Sequence, residues 1–271
     1  DGHLQATGRD ARGRKQYRYH ADWVRQRGQD KFARILAFGK ALPALRRQVR
    51  GHLALPGLPR EKVLALIVSV MGRTYARVGN MAYARSNHSY GLTTLHARHV
   101  SLAGRDAAQI RYTGKSGRLQ VLRIDDVRLV GLIRRCHDLP GKMLFQYLDD
   151  DGQVRPVDSG DVNDYLRQAT GDDFSAKDFR TWGATLTALM ELAQLPVPED
   201  ASESQCVALQ NQVIASVAGL LGNTPAVCRT SYIDPCVFDA WRAGRLEPLR
   251  ALRGVRQLET AALKLLRPCH R

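Results

Sequence analysis

The sequence has no run of about 18 apolar residues, the length that a membrane-spanning helix requires. We recognise no secretory signal, no internal repeat and no low-complexity tract in it. The chain begins at Asp1, not at methionine, and inside what reads as a strand, so we expect that an N-terminal piece has been removed. These absences argue against a membrane protein and against a repeat array.

Paired cysteine motifs are absent as well. The five cysteines are an odd number and form no CxxC pair: Cys136, Cys206, Cys228, Cys236 and Cys269. This pattern favours free thiols in a reducing compartment over a disulfide framework. We therefore expect a cytoplasmic protein.

Positive charge is present in excess. Lys and Arg number 41 and Asp and Glu 26, which leaves a net charge of +15. Such an excess favours a polyanionic partner, most commonly nucleic acid, although a protein that is merely basic is the competing interpretation. With 271 residues, 44% of them hydrophobic, the chain is long enough for one large domain or for one domain with an appendage.

The first twenty residues combine positive charge with aromatic rings. Tyr17 and Tyr19 alternate with the cations Arg9, Arg12, Arg14, Lys15 and Arg18. Basic and aromatic residues around a glycine suit a strand–turn–strand that lays one face on a phosphate backbone. A solvated basic arm is the alternative.

After Ala21 the apolar spacing is mainly helical, with one interruption by strands. Apolar residues recur at helical spacing between Arg60 and Arg77. The predicted strands are His99–Leu102, Ala108–Tyr112 and Leu119–Ile124, with a tight hairpin turn at Gly114–Gly117. Further helices are predicted at Asp126–His137 and Asp161–Ala169, and a short strand pair around the acidic turn Asp149–Gly152. The fold class is therefore α+β, mainly α, with a three-stranded antiparallel sheet in a helical lobe.

A capping box predicts the starting residue of one later helix. Ser175 is the predicted N-cap and Asp178 its partner at the third helical position, while Phe174 and Phe179 form a hydrophobic staple. The predicted core face is Phe179, Trp182, Leu186, Leu189, Met190 and Ala193. Arg180 lies off that face, near the helix N-terminus, where backbone N–H groups favour an anion.

A second helix is predicted from Ser202 to Leu221, ending at Gly222 as the residue after the C-cap. Its predicted inward residues are Leu209, Val213, Val217 and Leu220. Asn223, Thr224 and Pro225 form the turn that leaves it.

Several residues have the chemistry that cleavage of a phosphodiester without a metal requires. Guanidinium groups compensate the negative charge of the five-coordinate state, an acid protonates the leaving 5′ oxygen, and a phenol is both nucleophile and leaving group. The candidates, in chain order, are Arg77, Lys115, Arg180, Asn223 and Tyr232. Taken singly, each of these residues also has a structural explanation without any catalytic role. The arginines could form salt bridges, the lysine could be a solvated turn residue, and the tyrosine could be packed in the core.

The joint pattern resembles the poxvirus-like DNA topoisomerase IB family, in its bacterial branch. The similarity covers nearly the whole chain and lies in motifs that follow one another in order: GRDARGRKQYRYH, ARVGN, YGLTTL, TGKSG, KDFRTWG, GNTP and RTSYIDP.

The resemblance implies a role for each candidate. Tyr232 would attack the scissile phosphate and hold the 3′ end covalently. Arg77 and Arg180 would bind the nonbridging oxygens, and Lys115 would protonate the departing 5′ oxygen. The expected DNA-contacting positions are Lys15, Tyr17, Tyr19, Tyr83 and Lys177. The implied enzyme is a monomer on duplex DNA in the bacterial nucleoid that uses no cofactor, no metal and no nucleotide.

Two features depart from the family. Most members have histidine in a Gly-His-Thr-Pro turn, where this chain has Asn223, which can donate a hydrogen bond but cannot carry charge. The family also has an N-terminal β lobe, of which we expect this chain to contain only the last strands. We therefore expect residues 1–20 to be the remnant of that lobe and residues 21–271 to be the catalytic domain.

Other functions share parts of this pattern. A tyrosine recombinase uses a related set of arginines, lysine and tyrosine, and a DNA-binding module without catalysis would share the basic charge. A P-loop around Lys115 is rejected because position 109 is glutamine, and His96 with His99 lacks further metal ligands nearby.

Overall fold

A computed structural model describes residues 2, 4–9, 15–197, 200 and 202–270, and for 15, 16 and 24–30 it describes the backbone alone. The helices are α1 (Ala21–Leu53), α2 (Arg60–Thr74), α3 (Met81–Asn87), α4 (Val127–His137), α5 (Ser159–Thr170), α6 (Ala176–Ala193), α7 (Glu203–Leu221), α8 (Pro225–Ser231), α9 (Cys236–Arg242) and α10 (Val255–Leu266). The strands are β1 (Leu4–Arg9), β2 (Lys15–Tyr19), β3 (Val100–Ala103), β4 (Ala107–Thr113), β5 (Leu119–Ile124), β6 (Gln146–Leu148) and β7 (Val154–Pro156). The mainly helical α+β class is confirmed.

The helical lobe is built around α6, which contacts α1, α7, α9 and α10. At its start, the backbone N–H of Ser175 donates to Asp178 Oδ2 over 2.8 Å, as the predicted capping box requires. Phe174 and Phe179 both meet the ring of Phe38 edge-on, with centroids 5.3 and 5.0 Å away. The staple therefore joins the start of α6 to α1.

For two residues, the prediction of a buried side chain is wrong. Met190 is 49% exposed and Leu220 is 46% exposed. Because α6 has neighbours on nearly every side, its exposed strip is narrow, and Met190 falls within that strip near the C-terminal end. In α7 the buried face includes Cys206, Gln210 and Ile214, so it is rotated relative to the predicted stripe.

The predicted three-stranded sheet is confirmed, with strand order β3-β4-β5 and antiparallel pairing throughout. Along β4 the buried residues Ala108, Ile110 and Tyr112 alternate with exposed ones, as expected for a sheet with one face on the core. The hairpin tip is a 3₁₀ turn at Lys115–Gly117, in which Ser116 has a φ of +64°. His99 belongs to the 3₁₀ turn before β3 and not to the strand.

The N-terminal strand pair and the short pair near Asp149 are also present. β1 pairs with β2, and β6 with β7, both antiparallel. Arg12 and Arg14 lie outside the described residues. Among the described residues no helix is both long and apolar enough to cross a bilayer. All five cysteines are free thiols.

Candidate active site

Arg77 lies in an extended segment after α2, and not within the helix as the sequence predicted. The helix ends at Thr74 because Tyr75 takes a left-handed conformation, with a φ of +52°. The carbonyl of Arg77 then accepts from Leu92 N over 2.9 Å. A Cβ on Gly91 would lie 2.6 Å from that same carbonyl oxygen, so only glycine permits this approach. The YGLTTL motif thus braces the backbone of Arg77.

The side chain of Arg77 is half-buried and donates from Nη2 to Asn223 Oδ1. Burial, followed by the positive charge of Arg180, lowers the pKa of the Arg77 guanidinium. Two guanidinium groups in one partly buried place repel each other, and an anion between them would relieve that repulsion.

Arg180 is buried in the first half of α6, with 5% of its surface exposed. Its Nη2 donates to the Leu221 carbonyl over 2.8 Å and its Nη1 to the Tyr75 carbonyl. Within the described part of the chain, its buried Nε has no hydrogen-bond partner. Arg180 therefore ties together the ends of α2 and α7 and retains one buried N–H donor that no described residue satisfies.

Asn223 follows the left-handed Gly222 that ends α7, whose φ is +60°. Its backbone carbonyl accepts from Arg118 Nη1 over 2.5 Å, so the β4–β5 hairpin is joined to this turn. Its buried Nδ2 has no oxygen or nitrogen acceptor among the described residues, and the weakly accepting Cys228 thiol lies beside it. The amide oxygen thus holds Arg77, and the amide N–H₂ is a second donor without a strong partner.

Tyr232 is the C-cap of α8, and its backbone N–H donates to the Cys228 carbonyl over 3.0 Å. The guanidinium carbon of Arg180 lies 5.3 Å from the centroid of its ring. Burial alone would raise the pKa of the phenol. The positive charge of Arg180, and then those of Arg77 and Lys177, outweigh burial, so the pKa of Tyr232 is lowered.

Lys115 is the one candidate that the structure does not bring to this cluster. It is exposed at the tip of the β4–β5 hairpin. Among the described contacts, no hydrogen bond or ion pair joins it to Arg77, Arg180 or Tyr232. The hairpin itself is attached near the site through Arg118, three residues further along.

Comparison with known proteins shows which family the chain belongs to. Residues 15–235, which include all five candidates, match the family model described as the catalytic core of eukaryotic DNA topoisomerase I. A protein named DNA topoisomerase 1B of Acanthamoeba polyphaga mimivirus is 33% identical over 239 residues, 85% of this chain and 70% of that protein. The DNA topoisomerase 1B of vaccinia virus (strain Copenhagen) is 21% identical over 86% of this chain and 71% of its own. The chain belongs to the poxvirus-like type IB DNA topoisomerase family.

As a type IB topoisomerase, the chain is an isomerase that acts on DNA. Several of the residues that were predicted to contact DNA are exposed to solvent. Tyr17 is 53% exposed, Tyr19 36% and Tyr83 61%. The ring of Tyr19 stacks on that of Trp23, with centroids 4.4 Å apart. Lys177 is exposed one turn before Arg180 in α6, whereas the side chain of Lys15 lies outside the described residues.

Two residues that hold the candidate site in place were not predicted from the sequence. Arg118 holds the Asn223 turn, and its position beside Lys115 in a basic hairpin was an available signal. Thr185 Oγ1 donates to the Tyr232 carbonyl over 3.3 Å and accepts from Asp234 N over 3.2 Å. No sequence pattern singles out Thr185, because a threonine inside a helix most often bonds within its own helix.

Proposed function

We propose that the chain relaxes supercoiled duplex DNA through transient cleavage of one strand, with Tyr232 as the nucleophile. The phenol oxygen attacks the scissile phosphorus, the bond to the 5′ oxygen breaks, and a 3′-phosphotyrosyl linkage forms. The free 5′ end rotates under the torsional stress of the DNA. The 5′ hydroxyl then attacks the phosphotyrosine and restores both the strand and the phenol.

This cycle uses neither ATP nor a metal, because one phosphodiester is exchanged for another of similar energy. A phenol is a better leaving group than an aliphatic alcohol, since its pKa is about 10. Resealing therefore proceeds without an external energy source. The stress stored in the DNA supplies the direction of the overall change.

The observation that supports the proposal is the convergence of the Tyr232 ring with Arg180 and Arg77. Their charges lower the pKa of the phenol, which makes it a stronger nucleophile at neutral pH. The same guanidinium groups would stabilise the extra negative charge of the five-coordinate phosphate. Activation of the nucleophile and stabilisation of the transition state thus come from one pair of side chains.

We assign charge-neutral support to Asn223 and acid catalysis to Lys115. The amide oxygen of Asn223 orients Arg77, and its Nδ2 would donate to a nonbridging oxygen without transferring a proton. Lys115 would protonate the 5′ oxygen, which requires the exposed hairpin tip to close over bound DNA.

The decisive assay is relaxation of supercoiled plasmid of arbitrary sequence by monomeric protein in EDTA without ATP. We expect relaxation by the parent chain and none by Tyr232→Phe, which retains the ring but not the nucleophile. Recombination only between paired sites would support the recombinase alternative. Retention of nicking by Tyr232→Phe would refute the assignment of the nucleophile.

A further inference from the structure

A second group of chemically active side chains lies directly after the nucleophile. Asp234 is fully buried, two residues beyond Tyr232. Its Oδ2 lies 2.7 Å from His270 Nε2, and its Oδ1 accepts from the backbone N–H of Cys236 over 3.0 Å. The carboxylate, the Cys236 sulphur and a ring nitrogen of His270 all lie within 4.8 Å of one another.

We propose that Asp234, Cys236 and His270 form a binding site for one divalent transition-metal ion of the zinc class. A carboxylate, a thiolate and an imidazole are the ligand types that zinc takes in proteins. Zinc lies about 2.0–2.3 Å from such ligands. Its tetrahedral ligand atoms are therefore about 3.5 Å apart, a spacing that this cluster reaches by small side-chain adjustments.

A fourth ligand could come from Cys269, which precedes His270 and interacts electrostatically with Cys236. Its side chain is exposed, so rotation of the thiol toward the cluster meets little resistance. A set of two sulphurs, one nitrogen and one oxygen completes a closed tetrahedral site, which is typical of structural zinc. With water in place of Cys269, the site would keep three protein ligands.

The electrostatics of the cluster favour a cation. The Asp234 carboxylate is fully buried, and it lies within hydrogen-bond distance of the His270 ring. A divalent ion would neutralise the carboxylate and stabilise the thiolate. It would also replace the hydrogen bond that now joins His270 to Asp234. The amine of Lys31 also interacts electrostatically with Asp234, so a bound metal ion would compete with it for the carboxylate.

The site would fasten two distant parts of the chain together. Cys269 and His270 belong to the 3₁₀ turn Arg267–His270 after α10, whereas Asp234 and Cys236 flank the start of α9. Thr185 bridges Asp234 N and the Tyr232 carbonyl, so a metal here would also restrain the segment that carries the nucleophile. None of the proposed ligands takes part in the transesterification, so the metal would be structural and would not belong to the reaction.

Cobalt is the appropriate probe, because a tetrahedral Co²⁺ ion with thiolate ligands absorbs visible and near-ultraviolet light. We expect the reduced, metal-free full chain to bind one Co²⁺ with a thiolate charge-transfer band, and one equivalent of Zn²⁺ to displace it. Cys236→Ser should remove most of that band and weaken zinc binding at least about tenfold. Cys206→Ser is the matched control, since it changes a buried cysteine in α7 outside the cluster.

Two further variants, His270→Gln and Asp234→Asn, provide independent tests because the new side chains can still form hydrogen bonds. Each variant should bind zinc more weakly than the parent chain. Circular dichroism should show that the fold of each variant is intact. The inference is wrong if no charge-transfer band appears or if Cys236→Ser binds zinc as well as Cys206→Ser does. Isolation of a Cys236–Cys269 disulfide from protein that takes up no metal would also contradict it. All measurements are made without DNA, so their failure leaves the proposed relaxation activity untouched.

Discussion

Single residues at this site serve two purposes at once. Arg180 donates to the carbonyls that end α2 and α7, and its charge also lowers the pKa of Tyr232. Asn223 orients Arg77 with its oxygen and offers Nδ2 to a ligand. Because structure and chemistry share these atoms, substitutions at Arg180 would confuse folding with catalysis. Asn223 and Lys177 are better places to test the chemistry.

Asn223→Ala should lower the rate of single-turnover cleavage about 100-fold, the loss typical of one oxyanion donor. The same substitution should leave DNA affinity nearly unchanged, because one neutral contact among many phosphate contacts is lost. Asn223→His should preserve or raise the cleavage rate if the position only stabilises charge. A loss of roughly 100-fold in Asn223→His would show instead that the pocket depends on the amide.

Lys177→Ala should raise the pKa of Tyr232, because it removes one of the positive charges that lower it. At a given pH below that pKa, the variant then holds less phenolate and cleaves more slowly, and its rate plateau moves to higher pH. Ultraviolet titration of the phenol, taken as the difference from Tyr232→Phe, measures the shift without DNA. The control is Lys40→Ala, at an exposed position in α1, which should leave the pKa of Tyr232 unchanged. Identical titrations of the two lysine variants would contradict the electrostatic account.

At the scale of elements, the site is assembled from the ends of helices. Arg77 follows the left-handed end of α2, Asn223 follows the left-handed end of α7, and Tyr232 caps α8. Helix ends expose unpaired backbone groups, which here receive the guanidinium donors of Arg180. The geometry of the caps therefore decides where the functional side chains point.

Gly222→Ala tests this dependence on the cap. A left-handed φ of +60° costs a non-glycine residue about 1–2 kcal/mol, so the free energy of unfolding should fall by roughly that amount. Gly219 lies one turn earlier in α7, and a Cβ added there would meet no atom within 4 Å. Gly219→Ala should therefore raise the free energy of unfolding by up to about 1 kcal/mol. Urea unfolding of the two variants measures the contrast. Equal stabilities would mean that the cap does not hold the turn of Asn223.

The sequence predicted those features that depend on local pattern. The capping box at Ser175, the glycine end of α7 and the three-stranded sheet are confirmed, because each rests on neighbouring residues. The end of α2 was missed because Tyr75 adopts a conformation unusual for tyrosine. The exposure of Met190 was missed because a one-sided helical face was assumed for a helix with neighbours nearly all round.

At the scale of the whole molecule, four of the five candidates, Arg77, Arg180, Asn223 and Tyr232, lie far apart in the sequence and come together only in the fold. The order of motifs predicted their roles, but not the contacts of Arg118 and Thr185, which depend on how the hairpin and α6 dock. The cluster of Asp234 with His270 was likewise invisible, because its members are 36 residues apart. The net charge of +15 supports binding to DNA as a whole without identifying any contact.

Covalent trapping tests the central claim most directly. The chain is incubated with a duplex oligonucleotide, denatured during turnover and digested, and mass spectrometry then locates the residue that carries the nucleotide. The account predicts a 3′-phosphate ester on Tyr232 and no adduct in Tyr232→Phe. An adduct on any other side chain, or strand cleavage that persists in Tyr232→Phe, would contradict it.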